Sequence, residues 1–273
     1  MQKTFDTPGP TSVYVELGSG DLHIRAEDVT QTTVSVEGKD TEEVTLEQRG
    51  DQIVVLAPHR KTSFFSNSND LTVTVTLPTD SELATKLGSA HLDATGCLGT
   101  TKVRTGSGEI RLDKLAGEAL VESGSGDIEI NSISGDLRVK SGSGDIEIDR
   151  LGGSAAISTG SGDVEIGTAQ GDVQVKSGSG DMRIGEAHSD VSLTTASGGM
   201  SVGRIHRGSI QAKNVSGDIR VGIPANVPVW TDVSCVTGSV SSNLDGAGEP
   251  EEGQDFIELR AKTVSGDIIL EQL

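Results

Sequence analysis

Aromatic side chains make up only 2% of the 273 residues, with one Trp, one Tyr and four Phe. So little flat apolar surface disfavours a site that stacks on sugars, and it leaves any core to aliphatic side chains. Cysteine is scarce as well: Cys97 and Cys235 are too few for a disulfide framework and are read as reduced thiols. Positive charge is in deficit, with 22 Lys and Arg against 41 Asp and Glu and a formal net charge of −19. Nucleic acid and anionic lipid both select clustered cations, so neither is an expected partner. No apolar run approaches the roughly eighteen residues of a membrane span, and the opening MQKTFDTPGPTSVYVEL has no apolar signal-peptide core. The expectation is a cytoplasmic protein with no membrane insertion.

What the chain has in quantity is glycine, 36 residues of it, and repetition. From Leu92 to Ile219 it repeats every eighteen residues, and it half-repeats after nine with Gly followed by an acidic residue. The markers read GSGEI at 106–110, GSGDI at 124–128 and 142–146, GSGDV at 160–164 and GSGDM at 178–182. Stacking the chain at that period separates the positions by task. Ile110, Ile128, Ile146, Val164, Met182 and Met200 form one apolar column, and Leu112, Ile130, Ile148, Ile166, Ile184 and Val202 form another. Between them runs the variable column Arg111, Glu129, Glu147, Glu165, Arg183 and Ser201, an alternation with period two that marks strands with one buried face. The second half-repeat alternates likewise through Leu137, Val139, Ile157, Val173 and Val175. Leu115, Ile133, Leu151, Ala169, Ala187 and Ile205 make a fifth apolar column, which places Cys97 in the core one period earlier.

A fixed short period is the signature of a solenoid, in which each repeat buries its apolar face only against its neighbours. The expected fold is all-β: a right-handed parallel β-solenoid of about 18 residues and two strands per coil, capped by a small N-terminal β unit. A left-handed hexapeptide helix is excluded, because stepping by six from Ile128 meets Ser134 and Lys140 instead of aliphatic residues. The domain reading is an N-terminal β cap at 1–80, regular coils at 81–222, and irregular last coils with a C-terminal cap at 223–273. Trp230 is expected to close the core at that end. The marker slips by one residue over Arg204 to Gly208, which predicts a bulge. Two loops interrupt the pattern, RKTSFFSNSND at 60–70 with Phe64 and Phe65, expected to pack, and the acidic LDGAGEPEEGQD at 244–255.

The opening FDTPGPTSVYVELGSGDLHI, the repeated GSGDI and GDVQV strands, RGSIQAKNVSGDIRVGI and the closing ELRAKTVSGDIIL together resemble the bacterial β-strand-repeat family labelled "putative adhesin", in its signal-less actinobacterial form. The resemblance runs over nearly the whole chain. It implies a β-solenoid without a settled biochemical activity, so it assigns no functional residues, and the adhesin label implies a cell surface.

The remaining chemistry is read column by column. Asp127, Asp145, Asp163 and Asp181 form a carboxylate column that suggests calcium, since nonapeptide calcium rolls also use eighteen residues per coil. Those rolls place a residue between the last Gly and Asp, whereas here Asp follows Gly directly, so the reading is that each Asp caps its bend by accepting backbone N–H groups. Hydroxyl columns such as Thr105, Ser123, Ser141, Thr159, Ser177 and Thr195 are expected to bond from coil to coil and to bend backbone. Gly199-Met200-Ser201-Val202-Gly203 matches GxSxG, but Ser201 falls in a repeat strand with no following helix, so no catalytic residue is assigned. The five His, at 23, 59, 91, 188 and 206, are read as surface residues without metal-like spacing. No cofactor is expected. What is left for function is the outward columns, with Glu129, Glu147 and Glu165 on one face and Arg138, Lys140 and Lys176 on the other, and the two solenoid ends. The expected function is a non-catalytic scaffold or protein-interaction module that binds a protein partner or itself. The alternatives are a calcium-associated or cell-surface adhesin-like protein and a polysaccharide-acting β-helix enzyme.

Overall fold

A computed structural model describes residues 1–39, 41–57, 71–225, 227–245 and 256–273. His59, the loop residues Phe64 and Phe65, and 246–255 of the acidic loop lie outside the described residues. The described chain is built from strands, with one 3-10 turn at Thr41–Glu43. Among the described residues no helix is long and apolar enough to cross a membrane. Two compact units are present, Met1–Asp136 and Leu137–Leu273.

In the first unit two stacked sheets share the coils. Ile110–Leu115 pairs in parallel with Ile128–Ile133, and Thr101–Thr105 with Ala119–Ser125, each residue meeting its counterpart eighteen positions on, as in Ile110 with Ile128 and Thr101 with Ala119. The coil formed by Ser12–Leu17 and Gly20–Glu27 joins the same parallel ladders by pairing with Glu82–Leu87 and His91–Leu98. Its own Gly18-Ser19-Gly20-Asp21 is a copy of the repeat marker. The next coil outward, Gln52–Leu56 with Leu71–Pro78, still pairs with it in parallel; beyond that the pairing turns antiparallel, Gln31–Glu37 joining Leu71–Pro78 and Gln2–Asp6, and Thr45–Arg49 joining Gln52–Leu56.

Cys97 is not in the core column. Within His91–Leu98 the register shifts by one residue, so Leu115 pairs with Leu98, while Cys97 pairs with Lys114. Gly96 has φ +85, and the extra residue it introduces turns the thiol aside and lets Leu98 take the buried place at 1% exposure. The partly buried Cys97 thiol donates to Asp80 Oδ1 at 3.4 Å. Burial first, then that hydrogen bond and the charge of Asp80, raise its pKa above the ordinary thiol value.

The second unit continues the pattern with the same period. Ile146–Leu151, Val164–Ala169, Met182–Ala187 and Met200–Ile205 form successive rungs of one sheet, and Leu137–Ser143, Ala155–Ser161, Val173–Ser179 and Val191–Ser197 form rungs of the other. The β-branched inward residues Ile148, Ile157, Ile166, Val175 and Ile184 are all at most 2% exposed. Their stiff χ1 and small girth suit a narrow interior lined from two sides. The predicted slip is present but sits in a bend rather than a strand. Ala187 pairs with Ile205 at the normal spacing, whereas Val191 pairs with Ile210, so the added residue falls within 206–209, where Gly208 has φ +94.

The end of the chain departs from simple succession. Ile257–Ser265 and Ile268–Gln272 pair with Gly208–Lys213 and Ile219–Ile223 on one side, and with Val229–Thr237 and Val240–Ser242 on the other. The last coil in sequence is therefore second to last in space, and residues 229–242 form the outermost coil. Core composition explains the exchange. Ile257, Leu259, Ala261 and Ile268 are fully buried, while the matching places of the outer coil hold Val229, Thr231, Val233 and Val240, so the more apolar coil takes the covered position.

Candidate functional site

The Asp column is a ladder between coils. Asp145 Oδ1 accepts from Asp163 N at 2.8 Å, Asp163 Oδ1 from Asp181 N at 2.8 Å and Asp181 Oδ1 from Gly199 N at 2.9 Å. The expected capping is therefore displaced by one coil: the amide that each carboxylate satisfies belongs to the next bend. Asp127 holds the equivalent bend of the first unit, where its carbonyl accepts from Ile110 N at 2.9 Å. Two coils before Asp127 in the same column, His91 plays the carboxylate's part, its Nδ1 accepting from Glu109 N at 3.3 Å. In the second-to-last coil Asp267 Oδ1 accepts from both N and Oγ of Ser239 in the outermost coil, at 2.8 and 2.9 Å. Those two bonds lower the Asp267 pKa. The hydroxyl column works within each bend: Ser141, Thr159, Ser177 and Thr195 each donate to the carbonyl two residues on.

The charged columns point outward. Arg138, Lys140 and Lys176 stand on one sheet of the second unit, with Lys140 and Lys176 both paired in register to Ser158. On the other sheet Glu147 pairs with Glu165, and Glu165 with Arg183. Arg183 also bonds Asp181 at 2.7 Å. Glu129, in the first unit, meets Arg111 at 3.3 Å. Ser201 of the GxSxG match is the second residue of the strand Met200–Ile205, paired between Arg183 and Arg220 and followed by another strand, not by the helix of a nucleophile elbow.

Trp230 does not close the core. It is 51% exposed on the outer coil, where it pairs with the outward Glu258, and its ring lies 5.5 Å from the Arg260 guanidinium. The alternation of Val229–Thr237 decides this, since Val229, Thr231 and Val233 match the buried Ile257, Leu259 and Ala261, which leaves Trp230 and Val236 on the solvent face. Val236 is 80% exposed and Val240 45%. Among the described residues Val229–Thr237 is hydrogen-bonded on one side only.

Two of the five histidines are not independent surface residues. His206 follows His188 by one coil, and the backbone N–H of each donates to the coil before it, His188 to Ala169 and His206 to Ala187. Their rings stack with centroids 4.1 Å apart and planes within 5°. The Nε2 atoms lie 3.8 and 3.5 Å from Glu186 Oε2. The spacing of eighteen was the signal for this pair, because a solenoid turns one period into one strand spacing.

The family model described as Toastrack DUF4097 matches residues 11–203 and 167–271. No curated protein matches the chain. Among solved structures, a putative adhesin from Bacteroides fragilis is 10% identical, with 100% of this chain and 96% of that one covered at a TM-score of 0.34. A putative lipid binding protein from Parabacteroides distasonis is 12% identical over 98% of this chain and 96% of that one, with a TM-score of 0.34. A putative cell adhesion protein from Clostridium sporogenes is 14% identical over 100% and 99%, with a TM-score of 0.26. By the span of the family match, which takes in both units and the opening coil, the chain belongs to the Toastrack DUF4097 family.

Proposed function

We propose that this chain is a non-catalytic interaction module that associates with a second copy of itself through the outer edge strand Val229–Thr237. The observation that carries the reading is the composition of that edge. An edge strand offers unpaired N–H and C=O groups, and here Trp230 and Val236 add exposed apolar surface beside them. The strand is self-complementary when two copies run antiparallel about Val233. Trp230 then faces Val236 of the second copy, Asp232 faces Ser234 and Thr231 faces Cys235, so no like charges oppose one another.

Sedimentation equilibrium over a concentration series tests this. The wild-type chain dimerises in low and high salt alike, Trp230→Lys is monomeric, and reversing Arg138, Lys140 and Lys176 to Glu leaves the dimer intact. Loss of the dimer in high salt, or in the reversed variant, would assign association to the charged faces instead. A wild-type monomer at every concentration would defeat the proposal.

A further inference from the structure

We propose that Glu186, His188 and His206 form a binding site for a divalent transition-metal ion of the zinc type, on a lateral bend of the second unit. This inference is independent of the edge contact. Two imidazoles and one carboxylate make a borderline-soft donor set that suits zinc and its neighbours and is poor for calcium or magnesium. The ligand atoms of all three residues lie within 4.8 Å of one another. Around a tetrahedral ion with bonds of about 2.0–2.1 Å, neighbouring donors sit about 3.3 Å apart. The Nε2–Oε2 separations of 3.5 and 3.8 Å are close to that value, and both imidazoles present Nε2 to the same carboxylate oxygen.

The solenoid supplies the preorganisation. Because the two histidines hold equivalent places in paired coils, their backbones are fixed one strand spacing apart by the bonds to Ala169 and Ala187. The bend after His206 is the one that carries the added residue, and Arg207 Nε ties it back to the His188 carbonyl at 2.9 Å. In the other coils of the column the position of His188 and His206 is taken by Ala116, Ser134, Gly152 and Gln170, so the imidazole pair occurs only here. Glu186 is likewise singular, its column otherwise holding Lys114, Ser132, Arg150, Thr168 and Arg204. Nε2 of His206 is shielded from solvent and has no hydrogen-bond partner. A buried polar atom in that condition is costly, and coordination would satisfy it. For both lone pairs to converge the stacked rings must splay by rotation about χ2. His188 and His206 keep 27% and 35% of their side-chain surface exposed, which leaves room for it. Three protein ligands leave one position open for water, so the ion would also clamp two successive coils across the enlarged bend.

Titration of Zn2+ alone into chelator-treated full-length protein, followed by calorimetry, is the test. The expected result is one ion per chain, unaffected by Cys97→Ser and Cys235→Ser and not displaced by excess Ca2+. Glu186→Gln and His206→Ala should each weaken it by more than about tenfold, since even outer-shell changes at metal sites cost that much. His188→Gln is the control for folding, because Gln170 already occupies this place one coil earlier; it should melt like wild type in the absence of metal yet lose the ion. Co2+ should give visible absorption that His206→Ala abolishes. The absence of Zn2+ binding would overturn the site. So would binding that survives His206→Ala, which would put the ion on the carboxylate columns.

Discussion

Gly180 offers the sharpest test of how the coils stack. Its φ is +122, and a Cβ built there would stand 2.2 Å from the carbonyl oxygen of Gly162, one coil below. Two separate costs therefore fall on Gly180→Ala: about 1–3 kcal/mol for a non-Gly residue in that backbone region and about 1–3 kcal/mol for pushing a close-packed neighbour aside. Two other glycines separate these terms. Gly50 has φ +61 with nothing within 4 Å of the added Cβ, so Gly50→Ala carries the conformational cost alone. That cost is about 1–2 kcal/mol, offset by about 0.4–1 kcal/mol from a stiffer unfolded chain. Gly9 also has nothing within 4 Å and shows no positive φ, so Gly9→Ala should be neutral or slightly stabilising. In differential scanning calorimetry the order of Tm is Gly9→Ala, then Gly50→Ala, then Gly180→Ala, at about 2–4 °C per kcal/mol for a protein of this size. If Gly180→Ala melted no lower than Gly50→Ala, the coils would not be in the contact that the ladder register requires.

Three further outcomes follow from the bends and the outer coil. Asp267 has a lowered pKa in the folded state, so its contribution is full above the ordinary Asp range and is lost as pH falls through the lower folded value. Melting curves taken from pH 6 down to 3 should therefore show a smaller acid loss for Asp267→Asn than for wild type. Because one oxygen of each of Asp145, Asp163 and Asp181 already accepts a backbone N–H, adding calcium to chelator-treated, dialysed protein should leave its melting temperature unchanged; a large saturable rise would show that the column recruits the ion. Trp230 is the sole Trp and is half exposed, so its emission should be that of a hydrated indole in dilute protein and shift to the blue as concentration rises. A spectrum independent of concentration would place the ring away from any self-contact.

The regular coils were legible because the period, the alternation and the small aliphatic columns all point to one structure. Ile128, Ile146 and Val164 share a column in the sequence and are buried to within 2% exposure in the fold. Reading failed where a single residue changes the count or where chain order and spatial order part. One added residue at Gly96 exchanged Cys97 for Leu98 in the core. The coil at 257–272 displaced the coil at 229–242 from the covered position because Ile257, Leu259 and Ile268 bury more apolar surface than Val229, Thr231 and Val240. That comparison is available in the sequence, but only once both segments are recognised as competing for one place. The bulk of Trp230 suggests a core plug, but its facing follows the strand alternation that matches Val229, Thr231 and Val233 to the buried Ile257, Leu259 and Ala261. Metal-ligand spacings familiar from helices and loops do not include eighteen, so His188 and His206 look unrelated in the sequence, whereas in a solenoid the informative spacing is the coil itself.

The most direct test of the proposed association uses Val233, which lies on the two-fold axis of the edge contact and should meet its own copy there. In a chain carrying Cys97→Ser and Cys235→Ser, Val233→Cys should form a disulfide-linked dimer on mild oxidation, one that reverses with reductant and retains the far-ultraviolet circular dichroism of the parent. A cysteine at Val215, exposed elsewhere on the second unit, should stay monomeric under the same treatment. Equal cross-linking at both positions, or none at Val233→Cys, would contradict the edge-to-edge account.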